Sequence, residues 1–210
     1  MSGVIWIDPV VELVEPEPFG STHPIREVTN QIASGDGWSA GRRQRISDAF
    51  DELSEEWHAD HTSDLRLAPL EDALERGAIG DGRLVELGAG TGAATERIAR
   101  RAPVFAALEL SAGMLAEVDC SLAPFVRGDA DQLPFSDDTI DIVVLVNMFL
   151  FAHEIDRVLA PGGRLVWVNT MGAETPIHLP PEAVVDALPG SWTAIASRAG
   201  SGLWCVARRA

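Results

Sequence analysis

Three glycines at alternate positions end an apolar run and lead directly into a helix-forming run. They are Gly88, Gly90 and Gly92 in the segment LVELGAGTG at 84–92, and the segment AATERIAR follows at 93–100. Glycine leaves the backbone bare, and the first N–H groups of a helix face outward, so such a turn can approach a ligand closely. The pattern predicts a cradle for a small-molecule cofactor.

The glycine spacing differs from the dinucleotide-binding fingerprint, in which the third glycine comes three residues after the second. Here the third glycine comes two residues after the second, and Glu86 lies two residues before the first. The looser form of the dinucleotide pattern is still met by Gly88, Gly90 and Ala93, so an NAD-linked oxidoreductase stays open as an alternative. Because the chain has no evident proton-relay pair for hydride transfer, the spacing favours a different cofactor.

Two carboxylates follow later apolar runs, at positions where they could hold a nucleoside. Glu109 ends a buried run 21 residues after Gly88, where an acidic side chain can accept both hydroxyl hydrogens of a ribose. Asp129 follows the next run and could accept a hydrogen bond from an exocyclic amine such as adenine N6. The alternative for Asp129 is a turn aspartate that bonds its own backbone. Ser111 is predicted to cap the helix that contains Met114.

Short apolar runs alternate with helical patterns from residue 83 onward. Such runs are typical of parallel strands that are buried on both faces between layers of helices. The last two runs are joined by the loop at 199–201 and can pair only as a hairpin. The sequence therefore predicts an α/β fold with a mostly parallel sheet, helices on both faces and an antiparallel C-terminal hairpin. The seven predicted strands are 84–87, 104–110, 124–127, 140–146, 164–169, 192–198 and 202–208.

The chain divides into an irregular N-terminal extension at 1–38, a helical entry segment at 39–82 and a core domain at 83–210. Four prolines in the extension indicate irregular structure, with one short strand at Val4–Ile7. Ile46, Phe50, Leu53 and Trp57 recur at helical spacing, which predicts a helix from Ser39. Further helices are predicted at 68–76, with Pro69 in the first turn and Gly77 as the stop, at 154–159 and at 181–188.

The charge of the chain argues against a nucleic-acid partner. It carries 32 acidic and 16 basic residues, a formal net charge of −16, which repels a phosphate backbone. The one short basic run, RRQR at 42–45, is typical of a solvated helix face. Cys120 and Cys205 have no partner motif, so no metal site is predicted, and they fit a reducing compartment. Without a basic and apolar leader or an apolar segment of membrane-spanning length, we expect a cytoplasmic protein with no membrane partner.

Four segments in this order resemble class I S-adenosylmethionine-dependent methyltransferases, in the subgroup similar to small-molecule and ubiquinone-pathway enzymes. The segments are VELGAGTG at 85–92, ALELS at 107–111, GDADQLPF at 128–135 and RVLAPGGRLVW at 157–167, and the resemblance covers about residues 45–209. It implies a Rossmann-like sheet, S-adenosyl-L-methionine as cofactor and methyl transfer to a small-molecule acceptor.

The resemblance also implies roles for particular residues. Glu86 and the three glycines would surround the methionine moiety, Glu109 would hold the ribose, and Asp129 with Ala130 would meet the adenine. The cofactor-binding residues that it implies are Glu86, Gly88, Ala89, Gly90, Gly92, Glu109, Leu110, Met114, Asp129, Ala130, Asn147 and Met148.

The segment NMFLFAH at 147–153 departs from the family, which usually has a longer loop there. A cofactor-binding protein without catalysis therefore stays open as a third alternative. If an acceptor hydroxyl must lose its proton, His153 is the predicted catalytic base because it is closest in sequence to a strand end. The other candidates are His58, Glu154 and His178. For a lone histidine near a helix start, the alternative is capping or packing.

The end of the first predicted helix, at Trp57, could cover the cofactor or pack in a core stripe. The chain lacks the Asn-Pro-Pro-aromatic or Asp-Pro-Pro-aromatic motif of amino-methylating nucleic-acid enzymes, since Asn147 is followed by Met148 and Phe149. The predicted partner is therefore a small-molecule acceptor. The oligomeric state stays open, with a homodimer as one alternative.

Overall fold

The computed structural model describes residues 3–210, apart from the side chains of residues 56 and 58–60. Its centre is an eight-stranded sheet with the strand order β1-β7-β8-β6-β5-β2-β3-β4. The strands are β1 (Gly3–Trp6), β2 (Leu84–Leu87), β3 (Val104–Glu109), β4 (Phe125–Arg127), β5 (Ile140–Val146), β6 (Leu159–Asn169), β7 (Trp192–Ala199) and β8 (Gly202–Arg209). The helices are α1 (Ile25–Ala33), α2 (Ala40–His61), α3 (Asp64–Arg76), α4 (Ala93–Ala99), α5 (Ala112–Ala116), α6 (Ala152–Val158) and α7 (Pro181–Ala187).

The sheet confirms the predicted fold class. Strands β2 to β6 pair in parallel, whereas β8 runs antiparallel to both β6 and β7 and so closes the predicted C-terminal hairpin. All seven predicted strands form, and β1 adds an eighth by pairing in parallel with β7. This strand corresponds to the short strand predicted at Val4–Ile7, one residue earlier in the chain, but the sequence did not predict that it joins the sheet.

Helices cover both faces of the sheet because its central strands alternate their apolar side chains between two cores. Val85 and Leu87 face one core, which also contains residues of α1, α6 and α7. Leu84 faces the other core, which contains residues of α3 and α4. Two-sided burial explains why these strands read as continuous apolar runs. The described helices are too short or too polar to cross a membrane.

The N-terminal extension is more regular than the sequence predicted. Residues 25–33 form α1, and the expectation of irregular structure is wrong there. Pro24 lies just before the first helical residue, where the absence of its N–H costs nothing, and Ile32 is buried in the core on the helix's apolar face. The prolines therefore mark the start of a helix as well as irregular chain.

Several element boundaries also differ from the prediction. Helix α3 begins at Asp64, four residues before the predicted start at residue 68. Ser63 caps it there by accepting a hydrogen bond from the Arg66 N–H at 3.3 Å. Pro69 therefore lies inside the helix rather than in its first turn. Strand β6 begins at Leu159 rather than at 164, since Leu159 pairs with Ile140 before the register shifts. The end of α6 moves back accordingly, to residue 158.

Candidate active site

A cavity lies across the carboxyl ends of β2 to β6, the edge where ligands bind in open parallel sheets. Its floor consists of the turns that follow these strands, and α2 with Trp38 covers it. The residues that line it are Trp38, Ile46, Ser47, Phe50, Trp57, His61, Arg66, Leu67, Gly88, Ala89, Gly90, Ala93, Ala94, Leu108, Glu109, Leu110, Ser111, Met114, Gly128, Asp129, Ala130, Val146, Asn147, Met148, Phe149, Phe151, Thr170 and Ile177.

The cavity brings together ten of the twelve predicted cofactor-binding residues. Glu86 and Gly92 do not line it. Gly92 has φ 87° and is the N-cap of α4. A Cβ at Gly92 would lie 3.4 Å from the Phe125 ring, so this glycine faces β4 rather than the cavity.

The glycine turn is shaped for close approach, but its N–H groups are engaged inside the protein. Gly88 and Ala89 donate to the Leu108 carbonyl at 2.9 and 3.0 Å, and Gly90 donates to Glu109 at 2.9 Å. A Cβ at Gly88 would lie 2.5 Å from the Met148 sulfur, which leaves no room for a side chain. The turn therefore offers a ligand space, whereas the N–H groups of Gly88, Ala89 and Gly90 already have partners within the protein.

Glu109 stands at the end of β3, as predicted, and is 9% exposed. One carboxylate oxygen accepts the Gly90 N–H, and the other accepts the Ser111 N–H at 2.8 Å. Burial raises the pKa of Glu109, although these hydrogen bonds act in the opposite direction. Each oxygen has a second acceptor site, so the carboxylate can still receive hydroxyl hydrogens while it fixes the glycine turn.

Glu86 lies beneath the glycine turn, between β2 and α4. It is 1% exposed, and it accepts a hydrogen bond from Thr95 Oγ1 at 2.5 Å. Burial raises the pKa of Glu86 to about 8, and the nearby negative charge of Glu109 contributes in the same direction. Its carboxyl group thus links the end of β2 to α4.

Asp129 combines the two alternatives that the sequence left open. Its carboxylate accepts the Asp131 N–H at 3.0 Å, as a turn aspartate does, and it also lines the cavity. Trp38 Nε1 lies 3.2 Å from both carboxylate oxygens, and Arg43 Nη1 lies 3.2 Å from one of them. The carboxylate therefore holds the segment before α2 and the start of α2 against the end of β4.

Asn147 and Thr170 join the ends of β5 and β6. Asn147 adopts a left-handed conformation with φ 50°, which asparagine tolerates better than most residues. Its side-chain amide donates to Thr170 Oγ1, and its side-chain oxygen accepts the Thr170 N–H, both at 2.9 Å. This pair fixes the cavity wall next to Met148.

Of the predicted bases whose side chains the structure describes, none lines the cavity. His153 is exposed on the first turn of α6, with its ring next to Gly35. His178 bonds Asn169 Oδ1 at 2.9 Å, and burial lowers its pKa to about 4, so it stays neutral. Glu154 is held by Arg157 and by the Leu133 N–H. The side chain of His58 lies outside the described residues.

The sequence interpretation named Trp57 as a residue that could cover the cofactor, but it missed the polar side chains of His61 and Arg66 beside it. A Cβ at Gly90 would lie 3.5 Å from Trp57 Nε1, so Trp57 covers the turn. His61 stacks on Trp57 with ring centroids 3.9 Å apart, and Arg66 Nη2 lies 3.0 Å from His61 Nε2. The helical stripe indicated Trp57, but no local signal distinguished His61 or Arg66 from surface residues. In the described part of the chain, no three His, Cys, Asp or Glu side chains are grouped to hold a metal ion.

Part of this chain is similar in sequence to known methyltransferases. Residues 85–167 match the family model described as a methyltransferase domain. The demethylmenaquinone methyltransferase of Mycolicibacterium gilvum is 33% identical over 126 residues, which are 55% of this chain and 54% of that protein. The biotin biosynthesis bifunctional protein BioHC of Cellvibrio japonicus is 33% identical over 107 residues, 46% of this chain and 21% of that protein. The matched region thus spans about half or less of these curated relatives.

Solved structures show the same fold. DhpI, determined in complex with S-adenosylhomocysteine, matches with a TM-score of 0.66 and 20% identity over 82% of this chain and 98% of its own. An S-adenosylmethionine-dependent methyltransferase of Thermotoga maritima matches with a TM-score of 0.62 and 14% identity over 79% of this chain and 100% of its own. The fold is that of the class I S-adenosylmethionine-dependent methyltransferases. Over residues 85–167 the sequence is similar to the methyltransferase domains that this family model describes.

Proposed function

We propose that this protein transfers the methyl group of S-adenosylmethionine to a small, partly apolar acceptor. The proposal rests on one observation: the N–H groups of the glycine turn donate hydrogen bonds to other groups of the protein and are not free to bind a ligand. A dinucleotide pyrophosphate needs such donors, whereas a sulfonium and an ammonium group suit a cavity that is lined by the carboxylates of Glu109 and Asp129. The NAD alternative loses its main support for this reason.

The adenosine half of the cofactor fits between the ends of β3 and β4. Glu109 would accept the ribose hydroxyls, and Asp129 would accept the adenine amine next to buried Ala130. Leu110 and Met114 supply apolar surface for the ring on the same side of the cavity.

The amino-acid end of the cofactor would lie at the glycine turn beside Arg66 and His61. These are the basic side chains among the described residues that line the cavity. A guanidinium is well suited to a carboxylate because it can donate two parallel hydrogen bonds. Trp57, which covers Gly90, would close this end.

The acceptor would occupy the remaining space, which is walled mainly by apolar side chains. Trp38 lies against Phe149 and Phe151 with ring centroids 6.1 and 5.1 Å apart, and Met148 and Ile177 continue the wall. The two curated relatives support a small acceptor, since one is named for demethylmenaquinone and the other for biotin biosynthesis.

Bound S-adenosylmethionine supplies an electrophilic methyl group, which an acceptor lone pair attacks as the carbon–sulfur bond breaks and leaves S-adenosylhomocysteine. The protein's part would then be to orient the acceptor and exclude water, and positioning alone can supply on the order of 7–11 kcal/mol. The chain's own contribution rests on the fixed Asn147–Thr170 wall and the cover formed by α2.

We further propose a cytoplasmic enzyme with no nucleic-acid partner. The net charge of −16 supports the absence of nucleic acid, and two free cysteines, Cys120 and Cys205, suit a reducing compartment. A homodimer stays the alternative to a monomer.

Thermal unfolding with S-adenosylhomocysteine and with NAD tests the cofactor. Binding to the native state alone stabilises the protein by about 2.7 kcal/mol at a hundredfold excess over the dissociation constant. We expect S-adenosylhomocysteine to raise the melting temperature and NAD to leave it unchanged. The opposite result would contradict the proposal.

A matched pair of glycine variants makes this test specific to the turn. Gly90→Ala places a methyl group in the cavity, whereas Gly190→Ala places one in open space, and both glycines have positive φ. We expect both variants to lose some stability but only Gly90→Ala to lose the response to S-adenosylhomocysteine. Formation of S-adenosylhomocysteine from S-adenosylmethionine with a metabolite extract would then separate an enzyme from a protein that only binds the cofactor.

A further inference from the structure

One face of α2 crosses the adenosine side of the cavity. Arg43, Ser47 and Asp51 recur every four residues, so their side chains share this face, and consecutive members stand about 6 Å apart along the helix. Arg43 Nη1 contacts Asp129 at the end of β4, 3.2 Å away. At the other end, Asp51 accepts hydrogen bonds from the Ser111 hydroxyl and, at 2.8 Å, from the Gly113 N–H.

These two anchors fix where Ser47 lies. Asp129 is the proposed partner of the adenine amine, and Ser111 follows Glu109, the proposed partner of the ribose, by two residues. Ser47 is midway between the anchors on the helix and lines the cavity. It therefore faces the space where adenine and ribose would meet.

The Ser47 hydroxyl is buried and has no hydrogen-bond partner among the residues that the structure describes. Ser47 is 5% exposed, and its Oγ bonds neither the backbone of its own helix nor a neighbouring side chain. A buried hydroxyl without a partner costs on the order of 1–3 kcal/mol. Such a group is expected where a ligand supplies the missing hydrogen bond.

We propose that Ser47 is a binding residue for the adenosine half of the cofactor and that α2 is the third wall of that site. The inference rests on the proposed function. A hydroxyl can donate to an adenine ring nitrogen and accept from a ribose hydroxyl, so either contact satisfies it. The cofactor is thereby recognised from the helical cover as well as from the strand ends.

The test is isothermal titration of wild type and Ser47→Ala with two probes. S-adenosylhomocysteine is the complete cofactor product, with both its adenosine half and its amino-acid end. 5′-Methylthioadenosine keeps the adenosine half and lacks the amino-acid end. We expect Ser47→Ala to weaken the binding of both probes by a similar factor, about three- to tenfold. Equal affinity of wild type and variant for both probes would overturn the proposal, and so would a loss confined to S-adenosylhomocysteine.

The stability of the free protein separates this role from a structural one. Ser47→Ala removes an unsatisfied hydroxyl, so the melting temperature without ligand should stay the same or rise. Ser54→Ala is the matched control: Ser54 is a buried serine on the same helix, its hydroxyl donates to the Asp51 carbonyl at 3.0 Å, and it is outside the cavity lining. This control should lower the melting temperature and leave both affinities unchanged. A lower melting temperature in free Ser47→Ala would overturn the proposal.

The two proposals fail in different ways. If wild type binds neither probe, the proposed function falls. If wild type binds both and Ser47→Ala binds them equally well, only the role of Ser47 falls.

Discussion

At the scale of single residues, burial decides what the carboxylates of the site can do. Glu86 and Glu109 lie on neighbouring strands, and burial raises the pKa of both. Glu109 meets two backbone N–H groups and the cavity, whereas Glu86 meets Thr95 and no solvent. The same residue type therefore serves as a ligand-facing acceptor in one case and as an internal support in the other.

The stability of the protein should fall with rising pH because of Glu86. Its pKa is about 8 in the folded state against an ordinary value of 4.5, so between these values the unfolded state loses a proton that the folded state keeps. Unfolding is then favoured by about 1.4 kcal/mol for each pH unit across this window, with no further change above it. Glu86→Gln removes this contribution and retains a polar partner for Thr95. We expect the free energy of unfolding of the variant, measured by urea denaturation, to rise relative to that of wild type from pH 5 to pH 8.

Glu96→Gln is the control for this prediction. Glu96 is in the same part of the chain, on α4, but it forms an exposed ion pair with Arg100. Its stability difference from wild type should stay nearly constant over the same pH range. A constant difference for Glu86→Gln as well would mean that Glu86 is ionised in the folded protein.

At the scale of elements, α2 connects the ligand edge of the sheet to the chain before it. The helix begins at the Ser39 cap, and its Asp51 bonds the residues that start α5. These bonds lower the pKa of Asp51, with the Ser111 hydroxyl as the largest cause. The cover over the cavity is therefore held through polar anchors in addition to the packing of Ile46 against the core.

Removal of the Asp51 anchor should loosen the cover. Asp51→Ala deletes the acceptor for Ser111 and Gly113, so α2 should open more often and release ligand faster. We expect S-adenosylhomocysteine to dissociate about three- to tenfold faster, measured by stopped-flow, together with faster amide hydrogen exchange in α2. The control is Asp48→Ala, an exposed residue whose carboxylate bonds Gln44 on the same helix. If both variants behave alike, the anchor is not what holds α2 in place.

At the scale of the whole molecule, polar links join the N-terminal segment and α3 to the sheet. Arg76 bonds Asp72, the Ser197 hydroxyl and the Asp8 carbonyl, and Asp72 also accepts the Trp204 indole N–H at 2.7 Å. Further along, the Glu174 carboxylate accepts three backbone N–H groups of the segment at 19–21. The N-terminal residues are thus part of the folded unit, with β1 as an edge strand.

The hydrogen bonds of Asp72 should contribute far more to the free energy of unfolding than the surface ion pairs do. The Asp72 side chain is 3% exposed, and its loss leaves Arg76 and the Trp204 N–H without their main acceptor. We expect Asp72→Ala to lower the free energy of unfolding by about 3 kcal/mol. Asp64 lies on the same helix and pairs with Arg97, but the Asp64 side chain is 91% exposed. We therefore expect Asp64→Ala to lower the free energy of unfolding by less than about 1 kcal/mol. Similar losses in chemical denaturation would refute this ranking.

The sequence determined the central sheet and the ligand edge because both depend on local patterns. Strands buried on both faces must be apolar throughout, and β2 and β5 were therefore predicted to the residue. Glycine positions and carboxylates directly after strands reach the same edge through the topology of a parallel sheet. Ten predicted cofactor residues meet in the cavity for this reason.

Tertiary structure alone decided what covers that edge and which way the side chains point. Trp38 and Arg43 meet Asp129 although about 90 residues separate them in the chain, and no local pattern encodes such a contact. His153 follows the strand end closely, but Ala152 and Ile155 are the α6 residues that face the core, so the helix turns the histidine outward. Glu86 is within two residues of the cavity, yet the alternation of a strand directs it behind the turn. Strand position and sequence distance place a residue near a site, whereas helical phase and packing decide whether it faces the ligand.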